Sequence, residues 1–296
     1  MVKTPDLSQY PDLKVAQKGD GSIIYAYEGL IFNVPSLKHD GFTIKPEKKV
    51  KFDDGVKGKV VDCLGTLWDP DQFEYVRRPV VVGEVEDRER FSLPVVPRVL
   101  DLLIKKPGED YYLPLDLVQF LPTIQEIINL EHSINPHTDD YYCCITVDQG
   151  YVEPKNMQRN SGFHVDGYQG PRIRPKRKPI THNYIVSDCL PTVFLAQSLA
   201  VSHIDDSQYN ICLEFDRLAK PENYFQSKPY QITLMDAYTV HSSAIATQKR
   251  FRTFLRATFT QLQFDRLGNS VNPLVAPDWD EWLITSVRAN LKRYIP

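Results

Sequence analysis

The sequence predicts a mainly β fold, an antiparallel sandwich or barrel with helices flanking it. Three observations carry this. Short runs of β-branched and aromatic residues recur along the chain, with Gly, Pro, Asp and Asn between them. Only two stretches have a clear helical period, and neither lies within the main block of strands. A hydrophobic share of 42% in 296 residues is enough to bury a continuous core, so disorder is excluded.

The N-terminal third supplies β-type runs at 22–27, 29–34, 59–63 and 80–85, and the charged stretch 45–58 reads as a surface loop. Residues 117–134 form the first helix. Leu117, Phe120, Leu121, Ile124, Ile127, Ile128 and Leu130 fall on one stripe, and Pro122 lies near its start. Strand runs then follow at 141–147, 162–165, 183–187, 192–201, 210–215, 230–235 and 252–262. A second helix is expected over 278–294, with Trp279, Trp282, Leu283, Val287 and Leu291 on one face and Asp278 as its N-cap. With no repeat and no linker, residues 1–296 read as a single domain. Its core spans about 141–262, with β/α additions over about 1–140 and the helix at about 278–294.

Composition removes several function classes. A formal net charge of −3 advertises neither nucleic acid nor an acidic membrane. No apolar run reaches membrane-spanning length, and residues 1–10 lack the apolar stretch of a secretory signal. Cys63, Cys143, Cys144, Cys189 and Cys212 are scattered, odd in number and free of CxxC pairs, which predicts free thiols in a reducing cytoplasm.

The chemistry concentrates in Gly162-Phe163-His164-Val165-Asp166-Gly167. Side chains alternate along a strand, so His164 and Asp166 point the same way and can share a metal. A third ligand must come from elsewhere, and His241 is the candidate. It follows the apolar run 232–235 and precedes small residues, a setting for a strand end facing a cavity. Two imidazoles and a carboxylate on one face of an octahedron leave three positions open, the facial triad of iron(II) oxygenases. Beyond it, Arg252 and Arg256 share one face of the strand 252–262, while Phe251, Leu255 and Phe259 serve the other. Two inward guanidiniums are costly unless an anion meets them, and a dicarboxylate would.

The order His164-Val165-Asp166, His241, then Arg252-Thr-Phe-Leu-Arg256-Ala-Thr resembles the 2-oxoglutarate/Fe(II) oxygenase superfamily over roughly 141–262. Its arginine-bearing strand is similar to that of taurine-dioxygenase-like and phytanoyl-CoA-hydroxylase-like members. The resemblance implies a double-stranded β-helix, a distorted, cupin-like jelly roll. It implies Fe(II) on His164, Asp166 and His241, 2-oxoglutarate chelating that iron, and its far carboxylate on Arg252 or, next in order, Arg256. Dioxygen would convert 2-oxoglutarate to succinate and carbon dioxide while a small or medium-sized substrate is hydroxylated. Asp166 argues against the halogenating branch, where a small residue stands at that position.

Other features stay in view. Residues 172–178, with Arg172 and Arg174, are the densest positive stretch and read as either a solvated loop or a lid for an anionic substrate; interleaved aromatics for nucleic-acid stacking are missing. His39, His132, His137 and His203 read as structural, His137-Thr138-Asp139 as a turn, and His182 as the one rival ligand. Tyr184 and Thr192 are either helpers at the co-substrate carboxylate or core residues. Cys143 and Cys144 would face opposite ways on a strand, which disfavours a strain-free disulfide between them. Two rivals share the motif: a cupin-type metal enzyme without 2-oxoglutarate, and a non-catalytic jelly-roll binding protein.

Overall fold

The computed structural model describes residues 14–19, 22–27, 30–34, 36–52, 56, 68–94, 98–159, 161–166, 181–205, 209–261 and 269–275. Within them the protein is mainly β, with large antiparallel sheets and few helices, consistent with a jelly-roll-like fold. Strands β1 (Lys14–Gln17), β2 (Ile23–Tyr27) and β3 (Leu30–Val34) pair as one small sheet, and β4 (Gly41–Ile44) pairs with β7 (Tyr111–Pro114). The major sheet has six strands in the order β5 (Val80–Glu84), β12 (Gln231–Met235), β9 (Thr181–Ser187), β14 (Arg250–Thr260), β8 (Tyr142–Val152), β6 (Val99–Lys105), antiparallel throughout. A minor sheet runs β11 (Tyr224–Gln226), β10 (Val193–Leu195), β13 (His241–Ser242).

Alternation gives the major sheet two unlike faces. Leu255, Ala257 and Phe259 of β14, Ile145 and Val147 of β8, and Tyr184 and Val186 of β9 join one core cluster with the helix Leu121–Ile134. That helix buries Ile124, Ile127, Ile128 and Leu130 completely, each contributing about 1.5–3 kcal/mol of burial. Pro122 is tolerated in its first turn, where the amide it lacks has no partner to lose. Residues 117–120, expected as helix, belong to a 3-10 segment, Leu115–Phe120, leading into it. The opposite face of the sheet is polar. It carries Asn183, Arg252, Arg256, Thr258 and Thr146, with Ile185, Met235 and Phe254 packing onto Phe194 of β10. The space between the two sheets is where the site lies.

Glu131 fastens the helix to β9. It is fully buried, with His182 Nδ1 3.1 Å from its Oε2, Tyr184 donating at 2.7 Å and Asn135 at 2.9 Å. His182 therefore faces the helix and not the inter-sheet space, and Tyr184 is a core residue. Cys143 and Cys144 are buried free thiols in separate clusters. His137 begins a turn, its amide bonded to Asn135 Oδ1.

Several expectations need correction. The run expected as a strand at 210–215 is the helix Ile211–Leu218, where Asn210 caps the amide of Cys212 and Ile211, Cys212 and Phe215 bury one side. An N-cap followed by an i, i+4 apolar pair outweighed the β-like appearance. The expected strand 192–201 shrinks to β10, and 162–165 contributes a single bridge through His164. Strands β1, β4, β6, β7 and β11 were not expected at all. The helix expected at 278–294 and the strand at 59–63 lie outside the described residues. No helix among the described residues is long and apolar enough to cross a membrane.

Candidate metal centre

The site begins with one backbone pairing. His164 and His241 face each other in an antiparallel bridge, each amide donating to the other's carbonyl at 2.9 Å. Side chains of directly opposed residues lie on the same face, so the two imidazoles stand together with ring centroids 4.6 Å apart. Asp166, two residues after His164, points the same way, with Oδ1 3.8 Å from His241 Nε2. One ligand atom from each of the three residues lies within 4.8 Å of the others, a group that could hold a metal ion.

Backbone carbonyls set the orientation of both rings. His164 Nδ1 lies 2.9 Å from Gly162 O, and His241 Nδ1 lies 2.9 Å from Thr239 O. A carbonyl can only accept, so Nδ1 carries the proton and Nε2 keeps a bare lone pair, the arrangement metal-bound histidines use. Burial lowers the His241 pKa against the pull of Asp166, which favours the neutral ring that a metal requires. For Asp166, burial opposes ionisation, but Arg256, His241 and His164 outweigh it and hold the carboxyl well below its ordinary range.

The bend before His164 has its own support. Gly162 sits at φ +84°, a conformation open to glycine and strained for other residues. Asp216, from the helix Ile211–Leu218, accepts the Phe163 amide at 2.6 Å and crowds Gly162. The mispredicted helix thus holds the turn that aims the first ligand.

The two arginines of β14 share one face, as alternation requires, but their surroundings differ. Arg256 donates to Asp166 Oδ1 at 2.8 Å and to Asp101 Oδ1 at 2.7 Å, while its buried Nε makes no hydrogen bond among the described residues. Arg252 donates to the carbonyls of Cys189 and Leu190, both at 3.1 Å, and to Gln158 Oε1. All of these acceptors are neutral. Burial accordingly lowers the Arg252 pKa to about 10, while the adjoining carboxylates raise that of Arg256 despite its burial. Arg252 and Arg159 both lie over the Phe254 ring, 4.9 Å and 5.0 Å from its centroid.

Sequence reasoning missed Asp101, Gln158, Arg159 and Asp216. The one signal available was Asp101, a lone carboxylate inside the apolar run Val99–Lys105. Arg172 and Arg174, with the rest of 172–178, lie outside the described residues. Thr192 is buried, and no hydrogen bond among the described residues ties it to the triad.

No protein-family model matches the chain, and no curated protein matches it. Among solved structures, it is similar to EvdO2 from Micromonospora carbonacea var. aurantiaca complexed with 2-oxoglutarate, at 12% identity and a TM-score of 0.35 over 72% of this chain and 93% of that one. It is also similar to EvdMO1, at 17% identity and a TM-score of 0.25 over 40% of this chain and 26% of EvdMO1, about a quarter of that protein's length. Both likenesses are slight, and the side chains themselves carry the reading.

Proposed function

We propose that the chain is a non-haem iron(II) dioxygenase that uses 2-oxoglutarate to hydroxylate a small or medium-sized molecule, on a single domain of double-stranded β-helix type. The supporting observation is the convergence of two imidazoles, each with Nδ1 tied to a carbonyl, on one ionised carboxylate. That donor set suits a divalent cation of borderline softness and leaves an open side for co-substrate and dioxygen. His164, Asp166 and His241 would hold the iron. Iron(II) there supplies the redox chemistry for a balanced conversion of substrate, dioxygen and 2-oxoglutarate into hydroxylated substrate, succinate and carbon dioxide.

Electrostatics separates the two arginines. Arg256 already meets two carboxylates, so it has little charge left for a third. Arg252 hydrogen-bonds only neutral acceptors, with Asp188 and Asp148 acting on it from farther off, so an entering carboxylate would pair directly with a guanidinium that holds no carboxylate among the described residues. Arg252 is therefore assigned to the far carboxylate of 2-oxoglutarate. Arg172 and Arg174 are proposed to meet an anionic group on the substrate.

The test is anaerobic loading with Fe(II) and 2-oxoglutarate, followed by oxygen and measurement of succinate. Iron- and 2-oxoglutarate-dependent succinate release is expected, and Asp166→Ala should abolish it while keeping the wild-type fold. A protein that binds iron yet never consumes 2-oxoglutarate would overturn the reading in favour of a cupin-type enzyme. Full activity in Asp166→Ala would overturn the ligand assignment.

A further inference from the structure

Asp101 stands in a conformation that its strand does not need. It has φ +46°, the left-handed region that residues with a side chain rarely adopt. The pairing of β6 with β8 shifts at this point: Val99 faces Val147 and Leu102 faces Ile145, so Leu100 and Asp101 together oppose the single residue Thr146. This is a β-bulge, and it turns Asp101 away from the core that takes Val99 and Leu102. Its carboxylate is buried on the inter-sheet side.

The bulge is locked from two directions. Thr146 Oγ1 accepts the Asp101 amide at 3.0 Å and donates back to Asp101 Oδ1 at 3.0 Å. Leu100 and Ser270 exchange a second pair, amide to hydroxyl at 2.9 Å and amide to carbonyl at 2.8 Å. Thr146 is also the register partner of Arg256 on β14. Asp101, Thr146 and Arg256 therefore form a row across three adjacent strands, and Arg256 extends that row over the gap to Asp166.

We propose that Asp101 is a positioning residue for the metal centre: through Arg256 it fixes the Asp166 carboxylate and keeps it available to a cation. The inference rests on the metal-binding reading of the triad. Without Asp101, Arg256 would bring its whole charge to bear on Asp166 and compete with the metal for the same oxygens. With Asp101 present, the fork is shared, one nitrogen to each carboxylate, and Asp166 is oriented without being neutralised. The strained backbone and its two locks serve this placement, since neither the apolar core nor the pairing of β6 benefits from a carboxylate there.

The experiment measures Mn(II) and Co(II) affinity by calorimetry, with the visible Co(II) spectrum as a reading of ligand geometry. It compares wild type, Asp101→Asn, Thr146→Val and, as a control for plain destabilisation, Ile127→Val in the remote helix. Asp101→Asn keeps the shape and removes the charge. Loss of a group behind a ligand weakens metal binding ~10–100-fold, and that range is expected here with an altered Co(II) spectrum. Thr146→Val should weaken binding less, and Ile127→Val should lower the melting temperature alone. If folded Asp101→Asn binds both metals as wild type does, the inference is wrong. If Asp101→Asn does not fold, unchanged affinity in Thr146→Val overturns it instead. A wild-type protein that binds neither metal refutes the triad itself, a different failure.

Discussion

Gly162→Ala probes how the first metal ligand is aimed. The residue sits at φ +84°, where an alanine is strained by ~1 kcal/mol or more. Its Cβ would lie 2.7 Å from Asp216 Oδ2, so the Asp216 side chain must retreat. That carboxylate is not idle, because Oδ1 accepts the Phe163 amide at 2.6 Å, and a hydrogen bond to a charged group is worth ~1.5–3 kcal/mol. The two effects together give a loss of roughly 2–4 kcal/mol, or about 4–16 °C in melting temperature for a domain of this size. A double-mutant cycle with Asp216→Ala separates them. In that background the Cβ meets no carboxylate, and the alanine should cost only the backbone part, ~1 kcal/mol. Because Gly162 O holds His164 Nδ1, Mn(II) affinity should fall in Gly162→Ala alongside stability. Thermal melts and calorimetry of the four proteins decide the matter. Unchanged stability in Gly162→Ala, or full additivity in the cycle, would refute the role given to this bend.

Two further perturbations read different parts of the molecule. Arg252→Met should raise the KM for 2-oxoglutarate at least about tenfold, the equivalent of ~1.4 kcal/mol, and leave Mn(II) affinity within about twofold; an equal loss of both would argue against the division between the two arginines. Glu131→Gln should cost ~1–3 kcal/mol at neutral pH, measured by urea unfolding, because an amide in the core cannot accept from His182, Tyr184 and Asn135 as the buried carboxylate does. Burial opposes ionisation of Glu131, but His182, Asn135 and Tyr184 outweigh it, so its pKa in the folded protein lies below the ordinary 4.5. A carboxyl lowered on folding adds stability that is complete above its unfolded pKa and is lost as pH falls through the folded one. Wild type should therefore lose stability below about pH 4.5, and Glu131→Gln should lose less over that range; identical pH profiles would remove Glu131 from this account.

What was legible in the sequence follows from how local each signal is. The spacing of His164 and Asp166 needs only strand alternation, and the opposite faces of Arg252 and Leu255 need only the same rule, so both were readable. The stripe from Ile124 to Leu130 was readable for the same reason. The bridge between residues 164 and 241 was inferable only from the residue types that metal chemistry requires, since no local pattern joins positions so far apart. Asp101 was visible only as a lone carboxylate in an apolar run, and its role was not readable. Its role depends on a bulge that moves it off the face its place in the strand would give, and the run Val99–Lys105 is apolar on both sides of it, which hides the break in alternation that a bulge makes. The helix Ile211–Leu218 was lost for a different reason. Its eight residues are short enough that β-like composition and one helical turn look alike, and the Asn210 cap was the deciding signal.

The division of labour along β14 explains why the site can tolerate its own polarity. This strand is paired on both sides, to β9 and to β8, over most of its length. One face is committed to the helix cluster through Leu255, Ala257 and Phe259, so a slip by one residue would carry both arginines into that core. The register is thereby fixed by apolar burial on the far side of the sheet, and the placement of Arg252 and Arg256 comes with it. The ligand segment is held differently. Residues 161–166 meet the minor sheet through the bridge of His164 to His241 and the helix Ile211–Leu218 through the Asp216 carboxylate, while Phe163 and Val165 pack into a second core cluster with Phe73, Phe215 and Tyr238. Charges on one wall and ligands on the other meet at Asp166, reached by Arg256 from the sheet and by His241 across the bridge. A cation bound there would act on both walls through that one side chain, so the carboxylate's orientation governs the electrostatics of the site.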